Sequence, residues 1–242
     1  MTQERQTENP FAFDENEPKG PVLRPKDAAS LILVRREPHR VRVLMGERHS
    51  RHVFLPGRLV FPGGRLDAGD QRLAVNTDLR SGVAAKVAVG ITSARARGLG
   101  LAAIRETFEE TGILVGARIP SHVRTRSEAW RRFFAEGVTP RLEALDFVAR
   151  AITPPGRPRR FDARFFMADA DEIVRELDPS LASGELLRPV WLTLAEARQA
   201  DVLPITRCIF DEIEARLAEG ADSDRPVPFF IPRRGKAMIK QL

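Results

Sequence analysis

The sequence predicts an α/β or α+β fold, a mixed β-sheet held between helices. Three observations point there. Short apolar runs of strand type and stretches of helical period interleave along the chain, as expected for strands covered by helices. The 242 residues are 43% hydrophobic and 30% charged, and a chain of this size buries roughly 70% of its unfolded surface unaided. No internal repeat appears, and the longest apolar run, Ala28 to Val34, is strand-sized and far short of the ~20 residues of a membrane helix. Collagen, coiled-coil and wholly disordered classes are thereby excluded. The single cysteine, Cys208, excludes an internal disulfide and fits a reducing compartment.

Residues 1 to 25 are polar, with Pro10, Pro18, Pro21 and Pro25, and read as a flexible arm ahead of one domain over 26–242. Ala29 to Val34 and Val41 to Gly46 are β-branched runs around the charged RREPHR, which predicts a hairpin. A third run, Val53 to Phe61, empties into Pro62-Gly63-Gly64. Residues 71 to 100 are mixed in pattern, end in the glycine-containing RARGLG and read as an excursion with room for a short helix. From Leu101 the period becomes helical through Ile104, Phe108 and Thr111, and Gly112 is placed to stop the helix with a left-handed cap. Ile113 to Val115 then starts a strand. Arg124 to Ala135 reads as helix, Phe161 to Met167 and Val190 to Leu192 as strands. Thr193 to Glu196 is a capping box, and Ile205 to Leu217 is the last amphipathic helix, with Cys208 as a small buried thiol inside it.

The chemistry concentrates in Arg105-Glu106-Thr107-Phe108-Glu109-Glu110-Thr111-Gly112. On a helix Glu106, Glu109 and Glu110 stand at i, i+3 and i+4, so three carboxylates share one face and repel one another unless a cation neutralises them. Three hard oxygen donors on a rigid support suit Mg²⁺ or Mn²⁺. Arg105 can reach Glu109 one turn on and hold it in position. A bare Glu-x-x-Glu-Glu is most often a solvated acidic face; the longer pattern and the double-glycine turn upstream shift the reading. Without side chains, Gly63 and Gly64 let backbone approach a phosphate or metal closely, and a carbonyl there can serve as a ligand.

Together these residues resemble the Nudix box, G-x5-E-x7-R-E-U-x-E-E-x-G-U, from Gly64 to Ile113. Asp70 stands where the family has glutamate. Between Asp70 and Arg105 lie 34 residues where the family has seven, so residues 71–104 are read as an insertion within the box. Closure cost grows only logarithmically with loop length, so a long insertion is tolerable. Phe54 to Gly64, Thr153 to Arg157, Arg160 to Asp162, and Glu185 six residues before Trp191 resemble the peroxisomal-type coenzyme A diphosphatase branch, over roughly residues 28 to 217. An arginine typical of coenzyme A-hydrolysing relatives falls on Val53, with Arg48 and Arg51 close enough in sequence to substitute.

The resemblance implies a Nudix-type α/β/α sandwich with a mixed β-sheet. It also implies hydrolysis of a diphosphate joining a nucleoside to another group, most favourably coenzyme A or acyl-CoA to 3′,5′-ADP and a phosphopantetheine product. Glu106, Glu109, Glu110, the Gly64 carbonyl and Glu185 would hold the metal. Glu106, Glu185 and Arg105 form the catalytic set, either glutamate being a candidate base. Arg157 and Arg160, with Arg48 and Arg51, are candidate phosphate contacts, since arginine grips phosphate oxygens in pairs. Against the phosphate clamp stands a plain solvated strand edge. ADP-ribose or another nucleotide as substrate, or a non-catalytic nucleotide-binding module, are the alternatives.

The net charge of +6 favours anionic partners, but the 34 arginines are spread along the whole chain and there is no tyrosine, which argues against a nucleic-acid platform. His39, His49, His52 and His122 share no metal-ligand spacing. The first twenty residues carry acids and no hydrophobic core, so a cytoplasmic setting is expected. The terminal Lys240-Gln241-Leu242 only faintly resembles a peroxisomal address. Oligomeric state is open, a homodimer included.

Overall fold

Strand β1 (Lys26–Glu37) is apolar on both faces, and that places it at the centre of the molecule. In the computed structural model, which describes residues 10–11, 23–48, 57–118, 123–177, 183–220, 225–233 and 236–242, it runs through a nine-stranded mixed sheet. Ala29, Leu31 and Leu33 point into one core, Ile32 and Val34 into another. Strand alternation thus divides the hydrophobic residues between two layers. β1 turns into β2 (Arg40–Arg48) as the predicted antiparallel hairpin, with Arg36 opposite Val41.

On the first face lies α3 (Ser93–Thr111), packed against β1 by Leu99, Ala103, Ile104 and Phe108. Thr92 caps its start by accepting the Arg95 amide at 3.3 Å, and Gly112 ends it at φ +74°, the left-handed conformation expected there. The other face is covered by α5 (Leu194–Gln199), opened by the predicted Thr193–Glu196 capping box, and α6 (Pro204–Glu219), which contributes Ile205, Ile209, Phe210 and Ile213. Cys208 is only half-buried, on the side of α6 turned partly to solvent, and does not form part of the sealed core.

The sheet continues from β1 to β7 (Phe161–Asp169) in parallel, then to β6 (Asp146–Ile152). Beyond it stand β10 (Pro228–Arg233), parallel to β6, and β11 (Lys236–Gln241). On the other side β2 pairs with both β3 (Leu59–Val60) and β9 (Leu186–Thr193). A separate two-stranded sheet joins β5 (Ile113–Val115) to β8 (Ile173–Glu176). β6, β10 and β11 lie in segments where charged residues and prolines interrupt the apolar alternation; pairing with long neighbours makes them strands.

Two further expectations are corrected. The predicted insertion 71–104 is not all excursion: Ser93 to Ile104 form the first three turns of α3, the helix that carries the carboxylates. Gly98 and Gly100 in RARGLG lie inside this helix and are contact points. A Cβ on Gly100 would sit 2.9 Å from Leu142, and one on Gly98 3.0 Å from Gln71, so tertiary packing outweighs their poor helix propensity. The remaining excursion, residues 72–92, contains α2 (Ser81–Val87) and lies against α3, with Leu73, Leu79 and Val87 buried. Arg97 ties it down by donating to the carbonyls of Leu73, Val75 and Thr77 at 2.9, 2.7 and 3.2 Å. The second correction concerns Gly63-Gly64, which belongs to a short strand, β4 (Gly63–Arg65), antiparallel to β1. No helix among the described residues is long and apolar enough to cross a membrane.

Candidate active site

The three glutamates lie where α3 meets β4. Each has a different electrostatic setting. Glu110 is 3% exposed and accepts the Gly63 amide at 2.8 Å. Burial, with the neighbouring Glu106 charge, pushes its pKa up to about 8, against the opposing pull of the Gly63 amide and Arg48. Glu106 is pushed up to about 7, again chiefly by burial, although Arg105 counters it. Glu109 is half-buried and pairs with Arg105 at 2.5 Å.

Arg105 is the hub, and its anchor is Asp70. The Arg105 Nε and Nη2 donate to the two Asp70 oxygens at 2.8 and 3.0 Å, while Nη1 serves Glu106 and Glu109 and Nη2 also reaches the Arg65 carbonyl. Burial opposes the arginine's charge, but the bonds and charges of Asp70, Glu106 and Glu109 outweigh it and hold its pKa above the ordinary value. Asp70 is fully buried at the end of the short helix α1 (Ala68–Gln71) and takes two further donors, Trp130 Nε1 at 2.8 Å and the Asp67 amide at 2.9 Å. Trp130 comes from α4 (Glu128–Ala135), whose N-cap is Ser127, and belongs to an aromatic cluster with Phe133, Phe134 and Phe108. The box pattern marked Asp70 but not its role as the anchor of Arg105, and Trp130, 60 residues away, was not singled out. A usable signal was present, since a buried tryptophan needs an acceptor for its N–H.

Gly64 faces Glu106 so closely that a Cβ there would overlap the carboxyl group. A Cβ on Gly63 would instead overlap the backbone of Ala29 and Ser30. The two glycines should therefore respond differently to alanine. Gly64→Ala displaces the carboxyl end of the Glu106 side chain and its bond from Arg105, and is expected to cost less, about 1 kcal/mol at most. Gly63→Ala must move β1 and is expected to cost about 1–3 kcal/mol, several degrees of melting temperature. Thermal denaturation of both variants checks this; equal melting points would contradict the packing described.

Among the other predicted residues, Glu185 is exposed on a loop docked to the end of α3 by a 2.6 Å bond from the Ser183 amide to the Glu109 carbonyl, and its charge reaches Glu110. Arg48, at the end of β2, also acts electrostatically on Glu110. Arg160 donates to the carbonyls of Thr153 and Leu23 at 2.9 and 2.5 Å, closing the β6–β7 hairpin onto the chain before β1. Arg157 is half-buried in the same hairpin. Arg51, with His49, His52 and His122, lies outside the described residues. His39 is exposed, and Trp191 is partly buried with the Arg35 guanidinium 3.9 Å over its ring.

Beside Gly63 and Gly64, on the α6 face, opens a cavity of about 160 Å³, walled mainly by Ala28, Phe61, Phe165, Leu203 and Ile205. Arg48 stands in its wall, and the β6–β7 hairpin borders it through Thr153, Pro154 and Phe161. Carboxylates, a glycine strand and an apolar cavity are thus contiguous.

The carboxylates do not enclose a ready-made ion cage: among the described residues no three acidic, histidine or cysteine side chains are arranged to hold a metal. Their chemistry nevertheless fits one. Glu106 and Glu110 are hard oxygen donors held close together, and burial, with the repulsion of neighbouring carboxylates, raises the pKa of each. Arg105 alone is shared among Asp70, Glu106 and Glu109.

No family model matches the chain. A curated relative, a putative nudix hydrolase 7 of Caenorhabditis elegans, is 28% identical over 183 residues, 69% of this chain; the match spans only 51% of the relative's length. A crystal structure of a Nudix hydrolase from Alicyclobacillus acidocaldarius superposes with a TM-score of 0.59 at 24% identity, covering 79% of this chain and 92% of that one. The fold is the Nudix fold. Within it, the segment whose sequence resembles a Nudix box runs from β4 to α3, with Asp70 between them bonded to Arg105.

Proposed function

We propose that the protein is a divalent-metal-dependent diphosphatase that cleaves a nucleoside diphosphate joined to another group, with coenzyme A or acyl-CoA as the favoured substrate. The observation that carries this reading is the contact of β4 with α3. Gly64 is pressed against Glu106 and Gly63 is bonded to Glu110, so a half-buried and a buried carboxylate with raised pKa values flank the glycine strand. The similarity to Nudix hydrolases in sequence and fold supports it.

In this reading Glu106, Glu109 and Glu110, with the Gly64 carbonyl and Glu185, hold the cation. Bound there, Mg²⁺ or Mn²⁺ neutralises diphosphate oxygens and makes a water more acidic. Arg105, fixed by Asp70, keeps Glu106 and Glu109 on one side of the site. Glu185, exposed and near Glu110, is free to take the proton of the attacking water, with Glu106 as the other candidate base. Arg48 is positioned to meet phosphate oxygens at the cavity wall, and the apolar cavity suits an uncharged portion of the substrate. Arg51, Arg157 and Arg160 complete the proposed phosphate contacts. The water oxygen ends on one of the two phosphates, and the other phosphate leaves with the bridging oxygen.

A product screen tests the assignment. With Mg²⁺ or Mn²⁺, coenzyme A is expected to be cleaved fastest among coenzyme A, ADP-ribose, NADH and dinucleoside polyphosphates, giving 3′,5′-ADP and phosphopantetheine by chromatography. Faster cleavage of ADP-ribose would overturn the substrate; cleavage of none would overturn the activity.

A further inference from the structure

A second cavity, of about 610 Å³, opens at the other end of β4 and is polar where the first is apolar. Five cationic side chains line it: Arg24, Lys26, Arg65, Arg95 and Arg150. Its only acids among the described residues are Asp27 and Asp162. Both are already engaged. Asp27 pairs with Arg95 and, at 3.3 Å, with Arg164, while Asp162 is gripped by Arg150 at 2.8 and 2.6 Å.

Arg164, in β7, lies behind this wall and is fully buried. Its Nη1 reaches Asp27 and the Asp162 carbonyl, yet among the described residues its Nε and Nη2 have no hydrogen-bond partner. Burial depresses its pKa, and the nearby Arg150 adds to the effect despite Asp162 and Asp27. A guanidinium cannot shed its proton near neutral pH, so the cost falls on the site. Counting Arg164 behind the wall, six cations thus stand against two carboxylates, and the first turn of α3, at Arg95, adds the positive end of its dipole to the same wall.

We propose that this cavity binds a phosphate monoester. Such a dianion would neutralise the excess charge and offer oxygens to paired arginine donors. The cavity is near the carboxylates: the Arg65 carbonyl accepts from Arg105 at 2.9 Å, and Arg105 holds Glu106 and Glu109. The phosphate is either a further phosphate of the diphosphate substrate, in which case the site rests on the proposed function, or a free phosphate that binds independently.

Titration of the full chain with inorganic phosphate, 5′-ADP and 3′,5′-ADP by calorimetry, at low ionic strength with chelator present, needs no turnover and so fails or succeeds apart from the proposed activity. Saturable phosphate binding is expected, weakened at least tenfold in Arg24→Ala/Arg65→Ala, whose exposed side chains make no ion pair among the described residues. Lys26→Ala is a second, separate variant, and melting curves confirm that each is folded. If the phosphate is part of the substrate, 3′,5′-ADP binds at least tenfold more tightly than 5′-ADP and the double variant removes the difference. If it is independent, inorganic phosphate binds without displacing 3′,5′-ADP. Absence of saturable phosphate binding, or binding that both folded variants retain in full, would overturn the proposal.

Discussion

Replacing Glu110 by glutamine is expected to lower the proposed metal-dependent turnover by about two to three orders of magnitude, while the protein stays folded. A cation at the diphosphate supplies several kcal/mol, and each 1.36 kcal/mol is tenfold in rate. The same variant has a signature without metal. Glu110 has a folded pKa near 8 against an ordinary 4.5, so the wild type gains stability from its protonation. That gain is complete below about pH 4.5 and disappears as pH rises through about 8. Glutamine mimics the protonated side chain at every pH. With chelator present, the variant's melting temperature should therefore match the wild type near pH 5 and exceed it near pH 9. Wild-type turnover at saturating Mg²⁺ would refute the metal role; parallel melting curves across that range would refute the electrostatic setting.

The largest loss of stability is expected from Asp70→Ala, about 3–5 kcal/mol, or roughly 6–20 °C in melting temperature for a chain of this size. Asp70 compensates Arg105 in a buried setting and accepts the indole N–H of Trp130. Its removal leaves a charge and a donor unsatisfied at once. Asp70→Asn retains shape but loses charge, so it should fall between alanine and wild type. Urea denaturation followed by tryptophan fluorescence orders the three proteins. An alanine variant within 1 kcal/mol of wild type would show that Arg105 has another anchor.

Much of this was legible in the chain. The hairpin, the Gly112 stop, the capping box at Thr193 and the acidic face of α3 all appear where local spacing places them. The start of α3 did not, because Gly98 and Gly100 act as breakers in isolation and as close-packing positions beside Gln71 and Leu142. The terminal hairpin β10–β11 was also hidden, since its strands depend on pairing with each other and with β6.

Helical period and residue type alone put Glu106, Glu109 and Glu110 on one face, because those offsets are local geometry. Tertiary structure decided which of them burial shifts, that Asp70 and Trp130 lock Arg105, and that cations from positions 24 to 150 meet in one cavity. The reason is physical: charge interactions depend on through-space distance and on how much water is removed, and both are set only when distant segments pack together.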